Sequence, residues 1–252
     1  GASSFAGWQL NRLSTEKYEF RIHDGVTNVS AASDTVFADT SWHHVVGVYN
    51  GVEVKIYVDG VSADSTANAA TFTIPDVARA VCIGAAPGND ATCTITVAWP
   101  GLIDEVRIYN RALSPDEVRR LYHQGATTKF NTSQKNQLTR GLVGMWSFDA
   151  MTHGTSSVSD LSGNGNTGYL INGTAKAIGK IGQALSFDGV NDVVDAGDIA
   201  AAENTTTLTV AAWARASVAN ASTIPIVSKT RSTGAFAGWQ LNRLSTEKYE
   251  FR

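Results

Sequence analysis

Two adjacent histidines, two cysteines, a run of aspartates and six tryptophans are the side chains of this 252-residue chain with most chemistry to offer. His43 and His44 lie in WHHVVGVY, where neighbouring strand positions point to opposite faces. No acid or nucleophile accompanies them by motif, so packing outweighs a metal or base role. Asp188, Asp192 and Asp195 fall in a turn-like stretch, suited to loop hydrogen bonds or an ion contact. Trp42, Trp99, Trp146 and Trp213 could stack on sugars, but their place in β-rich runs makes most of them core. Cys82 and Cys93 bracket IGAAPGNDAT, which reads as a hairpin loop whose opposed positions can bring two sulfurs within bonding range. A disulfide is the expected state and two buried thiols the alternative, since a disulfide needs an oxidising compartment. Asn-x-Ser/Thr sequons at Asn28, Asn131, Asn172, Asn204 and Asn220 fit that compartment.

The elements that must position these groups are mostly short β-strands. WHHVVGVYNGVEVKIYVDG holds two β-rich runs around Asn50-Gly51, with Asp59-Gly60 ending the second, the strongest hairpin signal in the chain. Further strands are expected at 71–74, 80–84, 94–98, 102–109, 142–148, 183–187, 208–215 and 224–227. Many short strands separated by Gly, Asn and Asp imply a sandwich. One helix is expected over residues 114–123. Ser114 and Glu117 form a capping box there, Pro115 fits the first turn, and Val118, Leu121 and Tyr122 share one face.

The chain also repeats itself. FAGWQLNRLSTEKYEFR occupies Phe5–Arg21 and returns unchanged at Phe236–Arg252, an offset of 231 positions (236 − 5). Solenoid units span about 20–50 residues, so each copy belongs to a domain-sized repeat. An artificial duplication would give the same identity. The differing flanks, Gly1-Ala2-Ser3-Ser4 against Ser232-Thr233-Gly234-Ala235, speak instead for diverged neighbours. Residues 126–140 are polar and read as a linker. The natural unit then begins at Gly141, runs to Arg252, and continues as Ile22 to Gly125.

Charged residues are only 17% of the chain and the formal charge is −3, without the basic stripe that nucleic acid binding requires. No apolar run reaches the roughly 18 residues of a membrane helix, so membrane insertion of this segment is not expected. Any secretion signal would lie outside it.

Placed in natural order, the motifs resemble the laminin-G-like, concanavalin A-like jelly-roll family. GLVGMWSFD, DLSGNGNTG, GQALSFDGVNDVV, LTVAAWAR and IVSK look like the first half of such a domain. SWHHVVGVYNGVEVKIYVDG and WPGLIDEVRIYNRALSPDEVRRLY look like its second half. The resemblance implies an all-β fold, an antiparallel two-sheet jelly-roll sandwich with one short helix. Residues 1–125 would be the C-terminal portion of one unit and 141–252 the N-terminal portion of the next. The two halves could instead close on each other as one circularly permuted sandwich. Two identical segments cannot fill one place in a sheet, which favours the split.

The family often holds a structural calcium ion. Asp160, Asn164 and Asn166 in DLSGNGN offer oxygens within one glycine-rich turn, and Asp104 in GLIDEV comes from a strand that the resemblance places nearby. The alternative is a turn closed by its own Asx hydrogen bonds. Concanavalin A-like sandwiches also include glycosidases, whose two carboxylates stand about 5–10 Å apart. The Glu-x-Asp-x-x-Glu of the sandwich glucanases is missing here, and Asp104 and Glu105, being sequential, should face opposite sides of their strand. The expected function is a non-catalytic, extracellular or cell-surface repeat, a link of a fibre or filament whose partners are neighbouring copies. A carbohydrate-binding adhesin module is the alternative and a glycoside hydrolase the weakest reading.

Overall fold

The computed structural model describes residues 5–67, 73–86, 92–93, 95, 97–124, 138–149, 156–217, 223–232, 241–243 and 249–251. The first half supplies β1 (Phe5–Arg12), β2 (Tyr18–Asp24), β3 (Asn28–Ala32), β4 (His43–Tyr49), β5 (Glu53–Val58), β6 (Val61–Ala67), β7 (Cys82–Ile83), β8 (Pro100–Tyr109) and α1 (Pro115–Gln124). The second supplies β9 (Leu142–Trp146), β10 (Ser157–Val158), β11 (Gly168–Ile171), β12 (Ala175–Ile178), β13 (Gln183–Asp188), β14 (Val193–Asp195), β15 (Leu208–Ala216) and β16 (Ile224–Ser232). β17 (Leu241–Arg243) and β18 (Tyr249–Phe251) follow.

Two antiparallel sheets form the sandwich. One has the order β10-β11-β14-β7-β16-β1-β2-β3. The other runs β12-β13-β8-β15-β4-β5-β6, with β9 also paired to β8. Strands of both halves alternate in each sheet: β15 lies between β4 and β8, and β16 between β7 and β1. Within this chain the halves therefore take the closed arrangement. Among the described residues only the first copy of the repeated segment enters the sheet, and β17 and β18 pair with each other alone.

Strand alternation sorts the side chains. Val45 and Tyr49 of β4 face the inter-sheet core with Trp8, Phe20, Trp99 and Trp146. Val46 and Val48 face outward, under the α1 residues Val118 and Leu121. The capping box forms as expected: Ser114 Oγ accepts from Glu117 N at 3.3 Å, and Ser114 N donates to Glu117 Oε2 at 2.9 Å. Leu138, from the expected linker, is buried in the same outer cluster, and residues 138–139 are helical. An apolar side chain beside the helix face ends the linker early; residues 126–137 lie outside the described residues.

The hairpin expected around Asn50-Gly51 forms between β4 and β5, with its turn shifted by one residue: Tyr49 pairs with Val54 and Asn50 N donates to Glu53 O at 3.2 Å, leaving Gly51 and Val52 in the loop. Asn50 Oδ1 also accepts from Val52 N and Glu53 N, an Asx turn. A tight turn sits at Asp59 (φ 52°) and Gly60 (φ 79°), joining β5 to β6 through Val58 and Val61. Of the 71–74 expectation, Ile74 is described and bridges Thr205; of 94–98, Ala98 bridges Ala85.

Candidate functional site

β8 changes partner along one edge: Pro100–Ile103 pair with β13, and Val106–Tyr109 with β9. Where the two partners meet, β8 bulges. Trp213 of β15 faces Asp104, yet Ala211 faces Arg107, so β8 carries one extra residue there. Glu105 takes the strain, with φ at 51°. Asp104 and Glu105 were expected on opposite faces; the bulge breaks the alternation on which that expectation rested.

Asp104 is fully buried. Its Oδ2 accepts from Ile181 N at 2.9 Å, while Oδ1 is buried with no hydrogen-bond partner among the described residues. Burial pushes its pKa up to about 7, against the Ile181 hydrogen bond, and the charges of Glu105 and Asp149 push the same way. Asp149 follows Phe148, itself at φ 60°, and its Oδ1 accepts from Gln183 N at 2.8 Å. Both carboxylates thus grip one turn, residues 179–183, in which Gly179 N donates to Gly182 O. Glu105 is held by Arg107 Nη2 at 2.6 Å, and Arg107 Nη1 reaches Gln124 Oε1 of α1. Trp213 packs beside them with Lys180 Nζ 4.5 Å from its ring centroid and Tyr122 stacked at 5.6 Å.

Of the other oxygens expected for a cation, those of Asp160 take hydrogen bonds within their own turn and from β9. Asp160 Oδ1 accepts from Met145 N and Ser162 N, and Oδ2 from Ser162 Oγ and Asn166 N. Asn164 and Asn166 turn their amide nitrogens onto the carbonyls of Leu142 and Val143. This turn is a clasp on β9, closed by its own hydrogen bonds. Among the described residues no group of three or more His, Cys, Asp or Glu gathers as a metal site. Of the two carboxylates among the expected donors, Asp104 alone has an oxygen without a hydrogen-bond partner among the described residues, and beside Glu105 its acidic neighbour is Asp149, which sequence reasoning missed. Asp149 lies three residues beyond Trp146 in GLVGMWSFD, but nothing in the sequence marks the bulge that makes room for it.

His43 and His44 face opposite ways, as adjacent strand residues should. His43 Nδ1 lies 2.9 Å from Asp59 Oδ2 and Nε2 3.1 Å from Asp39 Oδ1, beneath Phe37. Burial works against its charged form, but the hydrogen bonds and charges of Asp59 and Asp39 together win and raise its pKa. His44 is buried against Trp213, and burial lowers its pKa to about 3. Asp188, Asp192 and Asp195 are spent on backbone N–H groups of their own loops and of Cys93. Cys82 and Cys93 are joined, with Cα atoms 5.7 Å apart. Asn28, Asn172 and Asn204 are exposed; Asn131 and Asn220 lie outside the described residues. Trp8, Trp99, Trp146 and Trp213 are buried and Trp42 is half-buried.

A second charged cluster, centred on the buried Lys229, serves packing. Lys229 Nζ reaches Asp198 Oδ1 at 2.5 Å and lies 3.3 Å from Glu203 Oε2. It also donates to Arg79 O, tying two loops to the middle of β16.

The two antiparallel sheets define a jelly-roll sandwich. Residues 1–119 match the laminin G family model described as the concanavalin A-like lectin/glucanases superfamily. That stretch holds SWHHVVGVYNGVEVKIYVDG and GLIDEVRIYNRAL, and the match ends at residue 119. Neither the comparison with curated proteins nor that with solved structures gives a match. No helix among the described residues is long and apolar enough to cross a membrane.

Proposed function

We propose that this chain is a non-catalytic structural segment of an extracellular or cell-surface array, in which laminin-G-like units follow one another as links of a fibre. The observation that carries this reading is the unchanged return of Phe5–Arg21 at Phe236–Arg252. Identical units at a constant interval can meet their neighbours through one repeating contact. The Cys82–Cys93 bond and the exposed Asn28, Asn172 and Asn204 sequons agree with an oxidising, glycosylating compartment. The carboxylates described above are engaged by backbone N–H groups or buried, which supports the non-catalytic reading over glycoside hydrolysis. Electron microscopy of the native material should show a regular fibre with a domain-scale axial repeat. Dispersed single particles would overturn the reading, and a specific hit in a glycan array screen would replace it with the adhesin.

Within that reading a structural calcium ion belongs at the β8 bulge. The open Asp104 Oδ1 and the neighbouring Asp149 supply carboxylate oxygens there, the donor type calcium prefers. Calorimetry in excess calcium should show a melting temperature several degrees above that in chelator. Asp104→Asn should abolish the difference, whereas Asp160→Asn should keep it. An unchanged melting temperature in the parent would remove calcium altogether.

A further inference from the structure

Where it is described, the second copy of the repeated segment pairs as the first does. Leu241, Asn242 and Arg243 face Phe251, Glu250 and Tyr249. At the constant offset, Leu10, Asn11 and Arg12 face Phe20, Glu19 and Tyr18. The first hairpin fills the place between β16 and β3 and buries Trp8, Leu10, Tyr18 and Phe20 to 1% exposure or less. The molecule thus holds one place and two identical occupants. We propose that this place accepts either hairpin, and that Phe236–Arg252 exchanges with Phe5–Arg21 within one chain.

Side-chain complementarity cannot tell the two apart, because every residue that touches the place occurs in both. The most exacting requirement shows this. Gly7 sits at φ 114°, and a Cβ there would lie 2.0 Å from the Lys229 carbonyl oxygen, so only glycine fits. Gly238 stands at the same point of the second copy. The Trp8 indole, which donates to Ala202 O at 3.3 Å, has its counterpart in Trp239.

The tethers differ: Phe5–Arg21 runs straight into Ile22 within β2, whereas the second segment follows β16 after Thr233, Gly234 and Ala235. Neither copy is needed to hold the halves together, since β15 pairs with β4 and β8, and β16 with β7. Ile22 and His23 pair with Val29 and Asn28 of β3 independently of residues 5–21. An exchange therefore moves one 17-residue segment, 5 to 21, and leaves the remaining sheet in register.

Melting of the full 252-residue chain tests it. Leu10→Asp and Leu241→Asp should each melt within about 2 °C of the parent, because the intact copy takes the place. The double variant should fall by about 10 °C or more. If Leu10→Asp alone falls as far as the double variant, the second copy does not substitute and the proposal fails. Nuclear magnetic resonance supplies a reading that does not depend on a damaged core: Trp8→Phe should retain a buried indole N–H protected from solvent exchange, now from Trp239. Loss of that signal in Trp8→Phe would overturn the proposal. So would a Leu10→Asp chain that keeps its melting temperature only as a dimer, since the exchange would then run between chains.

Discussion

At the scale of single residues, charge placement decides more than charge count. His43 is the clearest case, held at both ring nitrogens by carboxylates. Its folded pKa lies above its usual value, so its stabilisation is complete below the ordinary histidine range and is lost as pH rises through the raised folded value. Melting temperature measured from pH 5.5 to 8.5 should decline for the parent, and His43→Gln should make that decline shallower. Equal slopes would mean that His43 is neutral in the folded state. Glu203, raised to about 7 chiefly by burial, adds to the same decline, and the comparison of slopes separates the two. His44, whose pKa burial lowers to about 3, acts oppositely: its neutral ring stabilises above the ordinary range and opposes folding as acid is added. Two residues with one sequence context thus titrate in opposite directions, which no motif could show.

At the scale of elements, the sandwich tolerates little change where the sheets meet. Gly47 lies in β4 directly beneath Phe20 of the opposite sheet, and a Cβ there would come 2.1 Å from the Phe20 ring. Gly47→Ala should cost about 1–3 kcal/mol, read as a lower denaturation midpoint in urea with an unchanged slope. The central strands were legible from the sequence because they are continuous apolar runs: β4, β5, β8, β9, β13, β15 and β16 all fall where their β-rich segments stand. β1, β2, β3 and β6 were not, since NRLSTEKYEF and VSADSTA carry too many polar residues to signal burial. Their inward positions are few but large, as Trp8, Leu10, Tyr18 and Phe20 are, and pairing with β16 and β5 makes them strands. The capping box of α1 is local chemistry and was readable residue by residue. The β8 bulge is set by which strands lie on either side, and a linear reading has no access to it.

At the scale of the whole molecule, the disulfide and the β8–β9 edge carry separate consequences. Cys82 and Cys93 are 11 positions apart, and their bond constrains mainly the unfolded chain. Replacing both by Ser should lower stability by about 3 kcal/mol in equilibrium unfolding, the size expected for a loop of this order. The four expected calcium donors show why the site was only partly legible: three share a turn in sequence and were grouped on that ground, and their turn clasps β9 through one Asp160 oxygen and the amide nitrogens of Asn164 and Asn166. The acidic partner of Asp104 is instead 45 positions away (149 − 104), brought in by the strand order. The same strand order governs how the sandwich would respond to mechanical load. Leu142 of β9 faces Tyr109 of β8, so the chain enters and leaves this strand pair at the same end. Tension drawn between residues 141 and 110 would peel the pair open one rung at a time rather than shear it as a block. Two bonds latch that end: Asn110 N donates to Gly141 O at 3.0 Å, and Arg111 Nε to Arg140 O at 2.7 Å. Under that load they would be the first to yield, letting β9 come away as a short extensible segment while β15, β4 and β5 stay together.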